Sequence, residues 1–394
     1  STIPLSTTWT AGATPTYMSA PGLPNLATVI GANYPPMDVT PPTDSPEVQQ
    51  WIQEVANSGI PIPDFNVTVA GGCPANPEAV AEAEERCWWT CSTCTRTTDV
   101  TTCPDKFTWG VTYDDGPSVY STNLLQYLDA HDIKATFFSI GSRALGLPAS
   151  LQEEYMAGHQ IGVHTWSHPQ LTTKTNEEII AELGWTKKLI KDIIGVTPNT
   201  MRPPYGDIDD RVRNISLAMG LTPVIWTRIS ATATFDTNDF SIPGGLATPQ
   251  QVIQNWNNIL GNASQIDTGF IVLEHDLFAQ TVDMATGYIL PDALAFQPNL
   301  TLKPVISCLN KPMSDAYIEL NDNSTNPPAA SGGPATLSSG APGSAENTDG
   351  ASSSSASATG GSGSSAAIAL TPGSKMAVAT AAFGVLAGFV VVLL

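Results

Sequence analysis

From Lys106 to about Cys308, short apolar or β-branched runs alternate with helix-period patterns, and this alternation constrains the fold more than any other feature of the 394-residue chain. It is the pattern of parallel strands joined by crossover helices, an α/β architecture. Phe107–Tyr113, Ala135–Ile140, Gln160–His164, Thr222–Thr227 and Gly269–Leu273 read as strands. The clearest helix is Asn176–Ile194: Ile179, Ile180, Leu183, Leu189, Ile190, Ile193 and Ile194 share one face, and Gly195 ends the run as a C-terminal cap. That stripe reads as core packing without a functional message. In such architectures chemistry sits on loops at the carboxyl ends of strands, so the polar residues that follow each strand carry the question of function.

Asp114-Asp115-Gly116-Pro117 follows the first strand. Alone, the tetrapeptide reads first as a solvated turn. His164-Thr165-Trp166-Ser167-His168 ends another strand, in a chain whose only other histidines are His131, His159 and His275. Two imidazoles four residues apart can converge on one metal ion. With one carboxylate they make a three-ligand face that leaves positions open for water and substrate, as a hydrolytic metal needs, and the second carboxylate is then free to act as a base. Met201-Arg202-Pro203-Pro204-Tyr205-Gly206 adds a cation in a rigid turn, and Val272-Leu273-Glu274-His275-Asp276 puts a histidine past a very apolar strand. Ser118 lacks the second glycine of a nucleophile elbow, and no Gly-rich phosphate loop precedes a helix.

The other regions bear on location. Acidic residues outnumber basic ones 36 to 16, a net charge of −20 that repels nucleic acid, so no nucleic-acid partner is expected. Cys91-Ser92-Thr93-Cys94 has the spacing of a metal or redox pair, but no second ligand pair or βαβ context accompanies it. Cys73, Cys87, Cys91, Cys94, Cys103 and Cys308 are therefore expected as disulfides, with Cys308 tying the end of the domain to its beginning. Sequons at Asn66, Asn214, Asn262, Asn299 and Asn323 fit secretion. Residues 1–104 form a Pro/Thr-rich extension with helix patterns at Pro46–Ala56 and Pro77–Arg86, either ordered on the main domain or partly a linker. Residues 105–310 are the main domain. Residues 311–363 are a Ser/Gly/Ala/Pro-rich, disordered stalk, because such composition cannot bury enough apolar surface to fold. In 364–394, Met376–Leu394 is uncharged and apolar. A single spanning helix is one reading. Small residues at Gly363, Ser364 and Ser365, a spacer, and then the apolar tail match a glycosylphosphatidylinositol attachment signal, with Ser364 or a near neighbour as the attachment residue.

In sequence order, Thr112-Tyr113-Asp114-Asp115-Gly116-Pro117, His164-Thr165-Trp166-Ser167-His168, Arg202-Pro203-Pro204-Tyr205, Asp236-Thr237-Asn238-Asp239-Phe240 and Leu273-Glu274-His275 resemble the five motifs of the carbohydrate esterase family 4, or NodB-like, polysaccharide deacetylases. With the stalk and anchor signal, the chain resembles the fungal, GPI-anchored chitin deacetylases of that family. The resemblance implies a distorted (β/α) barrel with fewer than eight strands. It implies a divalent metal, zinc or alternatively cobalt, on Asp115, His164 and His168, with Asp114 as base, Arg202 steadying it, and His275 as acid paired with Asp239. The Tyr205 amide would bind the oxyanion, and Leu273 and Phe240 would line the acetyl pocket. The implied reaction removes N-acetyl groups from chitin to give chitosan and acetate in wall formation. An O-acetyl glycan esterase and a catalytically silent wall glycoprotein are the alternatives. The expected location is extracellular, at the plasma membrane and in contact with wall glucan. Two positions depart from the family pattern: Tyr113 replaces phenylalanine, with a hydroxyl that needs a partner if buried, and Phe240 replaces tryptophan.

Overall fold

The computed structural model describes residues 2–230 and 232–321. Its strands are β1 (Thr108–Gly110), β2 (Thr112–Asp114), β3 (Thr136–Ser139), β4 (Gln160–Val163), β5 (Thr200–Met201), β6 (Thr222–Pro223), β7 (Phe270–Ile271) and β8 (Thr301–Lys303). β2 to β6 pair in sequence order, while β1 lies between β7 and β8, and every pairing is parallel. β1 and β2 are separated only by Val111, so one segment belongs to both sheets. Closure comes from bridges of Asp114 with His275 and Val100 with Val224, and from the Thr227 amide, which donates to the Ile271 carbonyl at 3.0 Å. The result is a distorted barrel. All residues of β1 to β7 are buried, which is why their sequences read as apolar runs rather than alternating ones.

The helix Asn176–Ile194 has the expected bounds, with Gly195 left-handed at φ 86° and a capping box between Thr175 and Glu178 at its start. Two strands escaped the pattern. β5 and β8 span two and three residues, too few to show a period, and register alone defines β8, with Thr108 opposite Thr301.

The N-terminal extension is ordered and packed on the barrel. Helix Pro46–Asn57 buries Val48 and Val55 and sets Trp51 edge-on to Trp185, with ring centroids 5.5 Å apart. The expected helix Pro77–Arg86 stops at Ala81; Arg86 is instead drawn into a buried ion pair with Asp209 at 2.8 Å. All six cysteines are paired, as Cys73–Cys91, Cys87–Cys94 and Cys103–Cys308, and the last pair joins the two ends of the barrel domain.

The boundary at residue 310 needs correction. Packing continues to Asn321 because Tyr317 is fully buried, its ring 5.6 Å from that of Tyr155, and the Ile318 amide donates to the Thr197 carbonyl at 2.9 Å. The remainder of the expected stalk, the 364–394 signal, Ser364 and Asn323 lie outside the described residues. Of the other sequons, Asn66 and Asn299 are exposed, and Asn214 and Asn262 are half-buried. Among the described residues no helix is long and apolar enough to cross a membrane.

Candidate metal centre and active site

The carboxyl ends of β2 and β4 and the residues after β5 converge on one pocket of about 190 Å³, lined among others by Asp114, Asp115, His164, His168, Tyr205 and His275. A larger cleft of about 630 Å³ lies between the helices Pro46–Asn57 and Asn176–Ile194. None of the motif residues lines that cleft, so chemistry rather than size identifies the site.

One ligand atom from each of Asp115, His164 and His168 lies within 4.8 Å of the others. Asp115 Oδ1 is 3.3 Å from His164 Nε2 and 3.2 Å from His168 Nε2. The His164 ring is oriented through Nδ1, which donates to the Arg202 carbonyl at 2.8 Å and leaves Nε2 to face the carboxylate. Burial pushes the Asp115 carboxyl up, but the two histidines outweigh it and hold the carboxyl well below its ordinary range. Asp115 Oδ1 is buried without a hydrogen-bond partner, so a cation fits where these donors meet. Asp115, Thr165, His168 and Tyr205 all have left-handed φ, at 78°, 64°, 61° and 61°. Such backbone costs roughly 1–3 kcal/mol per non-glycine residue and persists only where the surroundings enforce it.

Asp114 points its Oδ1 at Arg202 Nη1, 2.9 Å away, and its Oδ2 lies 3.9 Å from His164 Nε2. Arg202 is fully buried and also donates from Nη1 to Thr112 Oγ1 at 2.8 Å. Burial lowers the Arg202 pKa, against the opposing pull of Asp114.

The opposite wall comes from later in the chain. His275 Nδ1 is 2.7 Å from Asp239 Oδ1, and its amide donates to Asp239 Oδ2 at 2.9 Å. Burial lowers the imidazole pKa, but Asp239 with Asp115 and Asp114 pushes it up to about 10. Phe240 packs edge-on to that ring at 5.3 Å and is 46% exposed, so one face remains open to a ligand. Leu273 is buried and lines the pocket. The two walls are stitched together: the Asp114 amide donates to the Glu274 carbonyl at 2.9 Å and the Asp276 amide to the Asp114 carbonyl at 3.1 Å. A Cβ on Gly116 would lie 2.4 Å from the Asp276 carboxylate, so only glycine allows this approach.

The polysaccharide deacetylase family matches residues 101–224. Chitin deacetylase 1 of Cryptococcus neoformans var. grubii is 55% identical over 329 residues, 82% of this chain and 68% of that protein. The chain belongs to the polysaccharide deacetylase family. This deacetylase is also 40% identical over 228 residues to the chitin deacetylase of Amylomyces rouxii, where the match spans about half of each protein, 51% of this one and 52% of that one. Among solved structures it is similar to the chitin deacetylase from the fungal pathogen Colletotrichum lindemuthianum, with 25% identity, a TM-score of 0.50, and coverage of 58% of this chain and 99% of that one.

Several pocket residues of the deacetylase were missed by the sequence reading. Trp226 lines the pocket and stands edge-on to Trp89 at 4.6 Å; its place near the carboxyl end of the expected strand Thr222–Thr227 was the available signal. Asp236, inside the fourth motif, also lines the pocket, and burial raises its pKa to about 6. The partner expected for the Tyr113 hydroxyl is missing: the ring is fully buried and its oxygen has no hydrogen bond, because strand packing surrounds it.

Proposed function

We propose that this enzyme hydrolyses the N-acetyl groups of N-acetylglucosamine units in chitin, giving acetate and glucosamine units. The convergence of Asp115, His164 and His168, with Asp114 on one side and His275 on the other, carries the reading. The names of the similar proteins support chitin as the polymer. Asp115, His164 and His168 hold a divalent ion, with zinc favoured by one carboxylate and two imidazole nitrogens. When bound, the ion supplies a Lewis acid that activates water and polarises the acetyl carbonyl.

Asp114, fixed by Arg202, takes a proton from the attacking water as its oxygen bonds to the amide carbon. The Tyr205 amide donates to the carbonyl oxygen as negative charge develops there. His275, held cationic by Asp239, gives its proton to the nitrogen as the C–N bond breaks, so an amine leaves rather than an amide anion. Leu273 and Phe240 receive the acetyl methyl group. The test is incubation with defined chitin oligomers, with and without chelator, scoring acetate and free amine by mass spectrometry. Metal-dependent amine release is expected; acetate released only from O-acetylated xylan would replace the reading with an esterase.

We also propose an extracellular, GPI-anchored protein at the membrane and wall glucan, supported by the Met376–Leu394 tail and by three disulfides. Val391→Arg should block attachment at or near Ser364, and phospholipase should free the unsubstituted form. Peptides from Met376–Leu394 in the mature surface protein would overturn the anchor.

A further inference from the structure

The loop that carries two of the metal-binding side chains is held in part from outside the barrel strands. Its ends are His164 and His168, and two residues within this span, Thr165 and His168, sit in left-handed backbone. Glu182, fully buried on the helix Asn176–Ile194, accepts from the Trp166 amide at 2.7 Å, the Ser167 amide at 2.8 Å and the Ser167 hydroxyl at 2.5 Å. One carboxylate thus fixes two consecutive peptide units between the histidines. Trp166 is fully buried, and the partner of its ring nitrogen is the Pro36 carbonyl of the N-terminal extension, at 2.9 Å. Tyr34 lies nearly parallel to the same indole, with centroids 6.4 Å apart and planes 13° apart. The Asp38 amide donates to Ser142 Oγ at 2.9 Å, and Ser142 Oγ donates to the Trp166 carbonyl at 2.7 Å. Thr40 acts on Glu182 itself, working with the Ser167 and Trp166 donors against the burial that raises the carboxyl's pKa.

We propose that Glu182 and the segment Tyr34–Thr40 act together as positioning residues for the metal loop, so that the N-terminal extension, which lies outside the family match at 101–224, sets how tightly the enzyme holds its metal. The inference rests on the metal site proposed above. Its physical basis is that neither Thr165 nor His168 is relaxed where it stands, and that Glu182 and the extension add braces to those the barrel itself supplies, where the Gly141 and Ser142 amides donate to the Thr165 and Trp166 carbonyls at 2.9 and 3.1 Å. The hydrogen bonds and ring contact of Glu182 and the extension fall on Trp166 and Ser167 rather than on the three ligands, so they act on the metal through loop geometry.

The test uses the whole enzyme and measures zinc affinity by competition with a chromophoric chelator, the absorption spectrum of the cobalt(II)-substituted protein, and the melting temperature without metal. Glu182→Gln should weaken zinc binding about 10- to 100-fold and alter the cobalt spectrum, with activity returning at saturating zinc. Glu182→Asp should recover part of the affinity. Thr40→Val and Tyr34→Ala, which leave the buried carboxylate in place, should weaken binding several-fold in the same direction; they decide the matter should Glu182→Gln not fold. Unchanged zinc affinity and cobalt spectrum, with only the melting temperature lowered, would make the brace purely structural and overturn the inference. If the unsubstituted enzyme took up no zinc or cobalt, the metal site itself would fail, a result visible before any variant is compared.

Discussion

The two walls of the site are built differently. The metal wall is compact in sequence: Asp114 ends β2, Asp115, His164, His168 and Arg202 follow the strands β2, β4 and β5, and all five fall inside the family match at 101–224. The acid wall, Asp239 and His275, lies beyond that match and is assembled from two segments joined by a side-chain contact. Their electrostatics run in opposite directions. On the metal wall the histidines hold the Asp115 carboxyl low, so that it is charged and ready to ligate; on the acid wall Asp239 holds the His275 imidazole high, so that it keeps a proton. An amide needs both at once, a base and cation where water attacks and a proton donor where nitrogen leaves.

The largest effects should separate the walls by metal content. His164→Ala or Asp115→Ala should abolish metal retention, and activity with it, leaving the barrel folded. Full metal content in either variant, by elemental analysis, would dissolve the distinction. On the base and acid, Asp114→Asn and His275→Ala should retain metal yet lose roughly two or more orders of magnitude in kcat, the usual scale for a general acid or base. If Asp114→Asn lost metal as readily as Asp115→Ala, the two carboxylates would not have divided roles.

The acid wall can be probed by titration. In metal-free protein, NMR should find His275 titrating near pH 10 rather than near the ordinary 6.5. Because the folded pKa is raised, the stability it contributes is fully present below about pH 6.5 and is lost as pH rises through about 10. Asp239→Asn should drop the pKa sharply, since burial then acts with less opposition, and should move the alkaline limb of activity to lower pH. Adding metal should lower it in the unsubstituted enzyme, because the cation offsets the Asp114 and Asp115 charges that help hold the proton. A pKa indifferent to both changes would remove Asp239 as the source of the proton's stability.

Much of this was legible from residues. The strand-end carboxylates and histidines were readable because strand position fixes where their loops emerge, and the long helix because its stripe runs for five turns. The pairing of Asp239 with His275 was legible only through family resemblance: nothing local in either segment says that barrel closure brings them within 2.7 Å. β5 and β8 were hidden because each is too short to show a period and is defined by the strand it pairs with, and the disulfide connectivity because five of the six cysteines crowd into one stretch where spacing does not choose partners. Glu182 is a different lesson. The helix reads as packing alone, yet it carries a charged residue inside its apolar stripe, three positions after Ile179 and beside Leu183. A buried carboxylate needs donors, and here they are the backbone amides of the metal loop.

The smallest expected effect lies beneath both walls, at Tyr113. This residue precedes Asp114 on β2, its ring stacks obliquely on Phe137 at 5.7 Å, and its hydroxyl is buried without a partner. Burial, then the charges of Glu274 and Asp239, pushes its pKa well above the ordinary value, so the phenol stays neutral and contributes nothing by ionising. An unsatisfied buried hydroxyl costs about 1–3 kcal/mol, whereas the ring's packing is retained in phenylalanine. Tyr113→Phe should therefore leave metal content and kcat unchanged and raise stability by about 1 kcal/mol, read as a higher denaturation midpoint with an unchanged slope. A loss of stability would mean that the hydroxyl has a partner after all. A loss of activity at constant stability would place Tyr113 in the coupling between the metal wall and the acid wall, since its strand neighbour Asp114 and the facing His275 are joined through the backbone at that level of the barrel.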